Sequence, residues 1–299
     1  MIATPGFTGA NLDRADNLRL DPAKIAELAA RDDARLLALS GLDPVLDDAG
    51  NLVWTSVTTP EHLIFLGLRD EVPLFAPLVQ VPPGQRAWAV FGLLNRMAPA
   101  DAAIWGAARS LLEWHARHPF CSACGQPSAP FRAGWGRRCP ACAAEHFPRV
   151  DPVVIMLAEH DGRILLARQP QYPPGRFSAL AGFIEPGESI EEAVARELKE
   201  EAAVEASDVR YVASQPWPFP GQLMIACTAT AASAEIELDR TELEEAFWAS
   251  REDVAAAFAG DPEARFLAPP PYAIASTLLR HWLERGSAPD PLAPPPRPA

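Results

Sequence analysis

Apolar and polar positions divide the chain into short strand-like runs and a few longer stretches with helical spacing. DPAKIAELAARDDARLLALSG begins with Asp21 at an N-cap position and Pro22 at the first helical position. It predicts a helix running into a strand over 35–39. NLVWTSV, EHLIFLGL and RAWAVFGLL have strand-like content. From Pro99, the positions Ile104, Ala108, Leu111, Leu112 and His115 recur at helical spacing and predict a long helix. After Asp151 the pattern becomes strand (PVVIMLAE), turn (HDG) and strand (RILLAR), then a loop and a helix from Ser189. Strands follow at VRYVASQ, LMIACTATA and EAFWAS, and PYAIASTLLRHWLERG predicts a closing helix. The class is α+β, with residues 1–115 as an N-terminal α/β domain, and no internal repeat is visible.

Composition narrows the reading. At roughly 150 residues per domain, 299 residues predict about two domains. A hydrophobic share of 48% and a charged share of 22% supply a core and exclude a wholly disordered chain. SAPDPLAPPPRPA has six prolines in thirteen residues and predicts a disordered tail over 287–299. A net charge of −13 argues against a basic surface for non-specific nucleic-acid or membrane binding, although Arg132, Arg137, Arg138 and Arg149 offer a local positive patch. No run approaches the ~18 apolar residues of a membrane span. The first residues lack the basic and apolar regions of a secretory signal, so a cytoplasmic, reducing location is expected.

Four of the five cysteines form two tight pairs, Cys121-x2-Cys124 and Cys139-x2-Cys142, fourteen residues apart. This spacing predicts a zinc ribbon over 116–148. Four thiolates leave no open coordination position, so the metal is structural; four reduced core cysteines are the alternative. His115, His118 and His146 lie near but are read as helix-exit and loop residues, and Cys227 as a buried thiol.

Residues 181–204, AGFIEPGESIEEAVARELKEEAAV, carry the densest chemistry. Glu197, Glu200 and Glu201 at i, i+3 and i+4 fall within roughly 100° of one helix face. Three such carboxylates repel one another, and a hard divalent cation turns that repulsion into binding. A solvated acidic face is the alternative. Downstream, SQPWPFP fixes Trp217 and Phe219 between prolines, an arrangement suited to stacking on a base or to capping a core.

Gly182-x5-Glu188-x7-Arg196-Glu197-Leu198-x-Glu200-Glu201, closed by Val204, resembles the Nudix box, with Ala203 where the box has glycine. That glycine ends the helix, and alanine in a left-handed conformation costs ~1 kcal/mol. With SQPWPFP, the four cysteines, the WHxxHxFC stretch from Trp114 to Cys121 and TELEEAFW over 241–248, the chain resembles the NADH pyrophosphatase family of Nudix hydrolases over roughly 110–285. The resemblance implies a Nudix α/β/α sandwich with a mixed β-sheet over 149–286. It implies hydrolysis of NADH or NAD⁺ to NMN(H) and AMP with Mg²⁺ or Mn²⁺, which neutralises the diphosphate and aligns an activated water. By the match, Glu197, Glu201 and the Ala181 carbonyl are metal ligands, Glu200 is a ligand or a partner of metal-held water, and Arg196 orients the glutamates. Glu242 is a further metal or base carboxylate; on residues alone it reads as a surface group. Gln215, Pro216, Trp217, Pro218, Phe219, Pro220, Gly221 and Gln222 line the dinucleotide site, Phe147 and Phe183 stack, and the backbone near Ala275 closes the pocket. A homodimer whose sites use both chains is implied as well. Alternatives are NAD-cap removal from RNA, broader action on ADP-ribose or dinucleotides, and a binding protein on an inactive fold.

Overall fold

A computed structural model describes residues 4–79 and 89–286. The chain groups into two compact units: a first made of Gly6–Asp151 with Gln215–Leu223, and a second containing Pro152–Ser214 and the chain from Met224 onward.

The first unit starts with helix α1 (Pro22–Ala29), whose N-cap Asp21 accepts a hydrogen bond from the Lys24 N–H at 3.0 Å. Strands β1 (Arg35–Leu37), β2 (Leu39–Ser40), β3 (Asp43–Pro44), β4 (Trp54–Ser56), β5 (Leu63–Arg69) and β6 (Val72–Pro77) follow. Four of them form a mixed sheet in the order β4-β1-β6-β5, with β1 parallel to β6 and antiparallel to β4. Phe65 and Phe75 on β5 and β6 pack with Leu28 and Ala29 of α1, which gives this unit its core. The β5 register shifts between Phe65 and Gly67. Gly67 has φ +140°, and a Cβ there would overlap the Asp13 carbonyl, so no side chain fits the bulge.

RAWAVFGLL departs from expectation. Residues 86–88 lie outside the described residues, and 89–94 form a helix, α2 (Ala89–Leu94), instead of a strand. Val90 and Leu94 are buried at i and i+4, which is helical spacing; a short apolar run does not by itself separate the two periods. Helix α3 (Pro99–Arg117) forms as expected, with Pro99 in its first turn and Ile104, Ala108, Leu111, Leu112 and His115 all buried. Strands β7 (Ala129–Phe131), β8 (Gly136–Arg138) and β9 (Glu145–His146) make a small antiparallel ribbon.

The second unit is built on β10 (Asp151–His160), β11 (Arg163–Arg168), β12 (Leu180–Phe183), helix α4 (Ile190–Ala202), β13 (Ala206–Trp217), β14 (Gln222–Ala231), β15 (Glu245–Ala249) and helices α5 (Arg251–Ala259) and α6 (Ile274–Arg285). The sheet order is β13-β14-β10-β11-β15, and β12 pairs antiparallel with β10. Continuous apolar runs in β10 and β11 are buried, as expected for central strands. Leu157, Ile164, Leu166 and Phe247 pack against Val254 of α5 and Leu278 and Trp282 of α6. Trp282 donates its indole N–H to Glu159 at 3.1 Å, which holds α6 to the β10 strand. Among the described residues no helix is long and apolar enough to cross a membrane.

Candidate active site and metal centres

Helix α4 is fixed at both ends. At its start Ser189 and Glu192 form a reciprocal capping box: the Ser189 hydroxyl accepts from the Glu192 N–H at 3.2 Å, and the Glu192 carboxylate accepts from the Ser189 N–H at 2.8 Å. At its end Ala203 adopts φ 55°, the left-handed geometry a glycine would take without strain. Val204 behind it is buried and donates its N–H to the Leu198 carbonyl at 3.1 Å.

The β10–β12 register sets Gly182 opposite Val154 and Ala181 opposite Ile155. A Cβ on Gly182 would overlap the Glu197 carboxylate. A side chain at position 182 would therefore have to displace the Glu197 carboxylate that the helix brings onto the strand backbone.

Arg196 is the hub of the acidic cluster. Its Nε and Nη2 donate to the two oxygens of Glu188 at 2.6 and 2.9 Å, a bidentate pair. Its Nη1 donates to Glu197 and Glu200, both at 2.9 Å, and Nη2 also reaches the Phe183 carbonyl at 2.9 Å. Hydrogen bonds from Arg196, joined by one from the Glu185 N–H, pull the Glu188 carboxyl down to about 2.

Glu197 and Glu201 face the other way electrostatically. Both are buried, and burial raises each. Glu201 is pushed up to about 8, first by burial, then by the charges of Glu197 and Glu242 and a hydrogen bond shared with Glu242. Its Oε2 is buried with no hydrogen-bond partner among the described residues. An acidic oxygen left unsatisfied among like charges is what a hard cation would complete, so the donor set fits Mg²⁺ or Mn²⁺.

The structure thus brings Glu197, Glu201 and Glu242 together, while Glu200 is exposed and engaged by Arg196. Phe183 is 53% exposed at the end of β12. Ala275 is buried in the core at the start of α6, so its side chain is unavailable and only its backbone could meet a ligand. Sequence reasoning passed over Asp239 and Tyr172. The Asp239 N–H donates to the Glu201 carbonyl at 3.0 Å, and its charge adds to the rise at Glu201. The Tyr172 hydroxyl is raised by burial and then by the charge of Glu201. Asp239 had a signal in its proximity to Glu242; Tyr172 sits in a loop with none.

In the first unit the four cysteines are the one set of three or more Cys, His, Asp or Glu ligand atoms, among the described residues, lying within 4.8 Å of one another. The Cys121–Cys142 sulfurs are 3.7 Å apart and the Cys124–Cys139 sulfurs 3.5 Å. A tetrahedron with Zn–S of about 2.3 Å requires sulfurs about 3.8 Å apart, so the site fits zinc. The two knuckles repeat one pattern: Gly125 N–H to the Cys121 carbonyl, and Ala143 N–H to the Cys139 carbonyl, both at 2.9 Å. His146, read from sequence as a loop residue, has Nε2 3.2 Å from the Cys121 sulfur.

Residues 215–220 of SQPWPFP also lie in the first unit, where the aromatics pack on one another. Trp217 stacks on Phe91 at 6.1 Å and meets Phe7 edge-on at 5.6 Å; Phe219 packs on Phe91 at 5.1 Å. Arg109 donates to the Pro218 carbonyl at 3.0 Å and lies over the Phe219 ring. Gln215 corrects the expectation that its side chain lines a ligand site: it is fully buried and donates to the Gly6 carbonyl at 2.9 Å. Phe147 is 42% exposed and packs 5.9 Å from Phe131.

Comparison with known proteins agrees with these two centres. Residues 116–147 match the NADH pyrophosphatase zinc ribbon domain, and residues 148–268 match the NUDIX domain. The NAD-capped RNA hydrolase NudC of Mycobacterium bovis is 36% identical over 312 residues, covering 94% of this chain and 95% of that protein. The human NAD-capped RNA hydrolase NUDT12 is 46% identical over 200 residues, 64% of this chain and 43% of its own length. The human NAD(P)H pyrophosphatase NUDT13, mitochondrial, is 43% identical over 203 residues, 64% of this chain and 58% of its own length. The chain therefore spans about half the length of these human relatives.

Proposed function

The chain belongs to the Nudix hydrolases, in the branch that carries the NADH pyrophosphatase zinc ribbon, and from that premise we propose that it hydrolyses the pyrophosphate bond of NADH or NAD⁺ to NMN(H) and AMP. The observation that carries the proposal is the buried, unsatisfied Glu201 oxygen beside Glu197 and Glu242. Mg²⁺ or Mn²⁺ bound there would neutralise the diphosphate and make the attacking water more acidic.

Each residue then has a task. Glu197 and Glu201, with the Ala181 carbonyl, would hold the cation. Arg196 fixes the rotamers of Glu188, Glu197 and Glu200, so the acidic face is set before substrate arrives. Glu200, exposed at the cluster's edge and paired with Arg196, would be a further ligand or a proton acceptor there. Glu242, beside Glu201, is placed to accept a proton during attack. Phe183 offers its exposed ring for stacking.

The names of the relatives support a second reading, removal of NAD caps from RNA 5′ ends by the same chemistry. We assign residues 1–115 to an N-terminal domain with a part in dimerisation, 116–148 to the ribbon and 149–286 to the catalytic domain, in a cytoplasmic homodimer. AMP release from NADH, NAD⁺, ADP-ribose and NAD-capped RNA, compared side by side with Mg²⁺ or Mn²⁺, tests the proposal. Preference for a nicotinamide substrate with NMN(H) as co-product supports it. Equal, slow turnover of all four contradicts the specificity, and no turnover contradicts the activity.

A further inference from the structure

The four sulfurs of the ribbon have unequal surroundings. Cys124 and Cys142 are exposed, whereas Cys121 and Cys139 are buried. The Cys121 sulfur accepts from the Ala123 N–H at 3.4 Å, within its own knuckle. It also lies 3.2 Å from Nε2 of His146, twenty-five residues further along the chain. The other nitrogen of the same ring, Nδ1, is 3.4 Å from the Ser122 hydroxyl. Backbone pairing sets the ring there. His146 ends β9 opposite Arg137 of β8, and the Cys139 N–H donates to the Ala144 carbonyl at 2.9 Å just before β9 begins.

His146 is placed against a ligand and not as one. The ligand atoms that lie within 4.8 Å of one another belong to the four cysteines alone among the described residues. With zinc bound, the Cys121 sulfur would be a thiolate, which has no proton to give and can only accept. Nε2 must then carry the ring proton, and Nδ1, left bare, accepts from the Ser122 hydroxyl. Ser122, His146 and Cys121 thus form a chain of hydrogen bonds with one direction. Four thiolates around one divalent cation leave an excess of negative charge, and a donor to a buried sulfur spreads that charge and fixes the ligand's orientation.

We propose that His146 is a positioning residue of the zinc centre: its Nε2–H donates to the Cys121 sulfur, in a tautomer held by the Ser122 hydroxyl, and slows the loss of the metal. The proposal rests on the reading of the ribbon as a zinc site and is independent of the hydrolytic reaction.

Zinc release from the full protein to a chromogenic chelator at fixed pH tests it, in wild type, His146→Ala and His146→Gln, with zinc content measured first. The expected result is one zinc per chain in each protein and release about tenfold or more faster in His146→Ala. His146→Gln, whose amide supplies an N–H near the place of Nε2, is expected to release zinc within about threefold of wild type. In wild type loaded with cadmium-113, the proton on Nε2 is expected to couple to the metal through the Cys121 sulfur, a signature that a merely structural side chain lacks. Unchanged release from His146→Ala overturns the proposal. Equal acceleration in both variants also overturns it, because the bulk of the ring and not its N–H then matters. So does direct coupling of a ring nitrogen to cadmium, because His146 is then a ligand. If His146→Ala does not fold, the cadmium spectrum of wild type decides alone, and a ring proton on Nδ1 overturns the proposal. Wild type without zinc refutes the metal reading of the ribbon and the proposal with it, whereas one zinc per chain with unchanged release refutes only the role of His146.

Discussion

Gly182 and Ala203 show how single backbone positions set this site. At Gly182 the Glu197 carboxylate occupies the space a Cβ would need, so Gly182→Ala must displace either the strand or the ligand. Loss of AMP release by 100-fold or more, with the thermal transition of the second unit retained, is expected; activity within threefold of wild type would refute the role given to this contact. Ala203 holds φ 55° at the end of α4. Ala203→Gly removes that strain and is expected to stabilise the protein by about 1 kcal/mol in urea unfolding, offset in part by the greater freedom of glycine in the unfolded chain. Arg196 acts through others: Arg196→Lys keeps the charge and loses the bidentate grip on Glu188. It is expected to lower kcat and weaken cation binding together while far-UV circular dichroism stays unchanged.

Among the elements, the ribbon depends most on its metal. Its strands β7, β8 and β9 have three, three and two residues, too short to sustain themselves. Removing zinc with a chelator is expected to release one metal per chain and to unfold this region before the second unit, read by metal analysis and calorimetry. Beside it, His115 donates from Nε2 to the Gly134 carbonyl at 2.8 Å and accepts at Nδ1 from Arg137 at 3.0 Å, so the ring is held neutral. Burial lowers it to about 4 from 6.5. The unfolded chain therefore takes up the proton first as pH falls, and stability is full above about pH 6.5 and lost toward pH 4. The span amounts to about 3 kcal/mol. Urea unfolding at pH 7 and pH 4.5 should show a drop in wild type that His115→Gln lacks; equal drops would exclude this assignment.

The same elements show what the sequence revealed. Helices α1, α3, α4 and α6 were legible because their apolar spacing is local, with side-chain N-caps at α1 and α4, and the four-cysteine site because its sulfurs are close in sequence. Residues 89–94 were misread because the strand and helix periods coincide over so short a run. Tyr172 was missed because its place beside Glu201 is created by tertiary folding alone. Gln215 was assigned to a ligand because no local pattern announces that its amide is buried against Gly6.

At the scale of the whole molecule, the two units carry different chemistry. The first unit holds the four-cysteine site of the zinc ribbon and the aromatic cluster around Trp217 and Phe219; the second holds an acidic cluster in which a buried Glu201 oxygen has no hydrogen-bond partner among the described residues. The most direct measurement is AMP release from NADH as a function of Mn²⁺ concentration for wild type and Glu201→Gln. Saturable, metal-dependent release by wild type is expected, with a loss of about 1,000-fold or more at saturating Mn²⁺ in the variant and its fold retained. Full activity of Glu201→Gln at saturating metal would contradict the placement of the cation and the chemistry built on it.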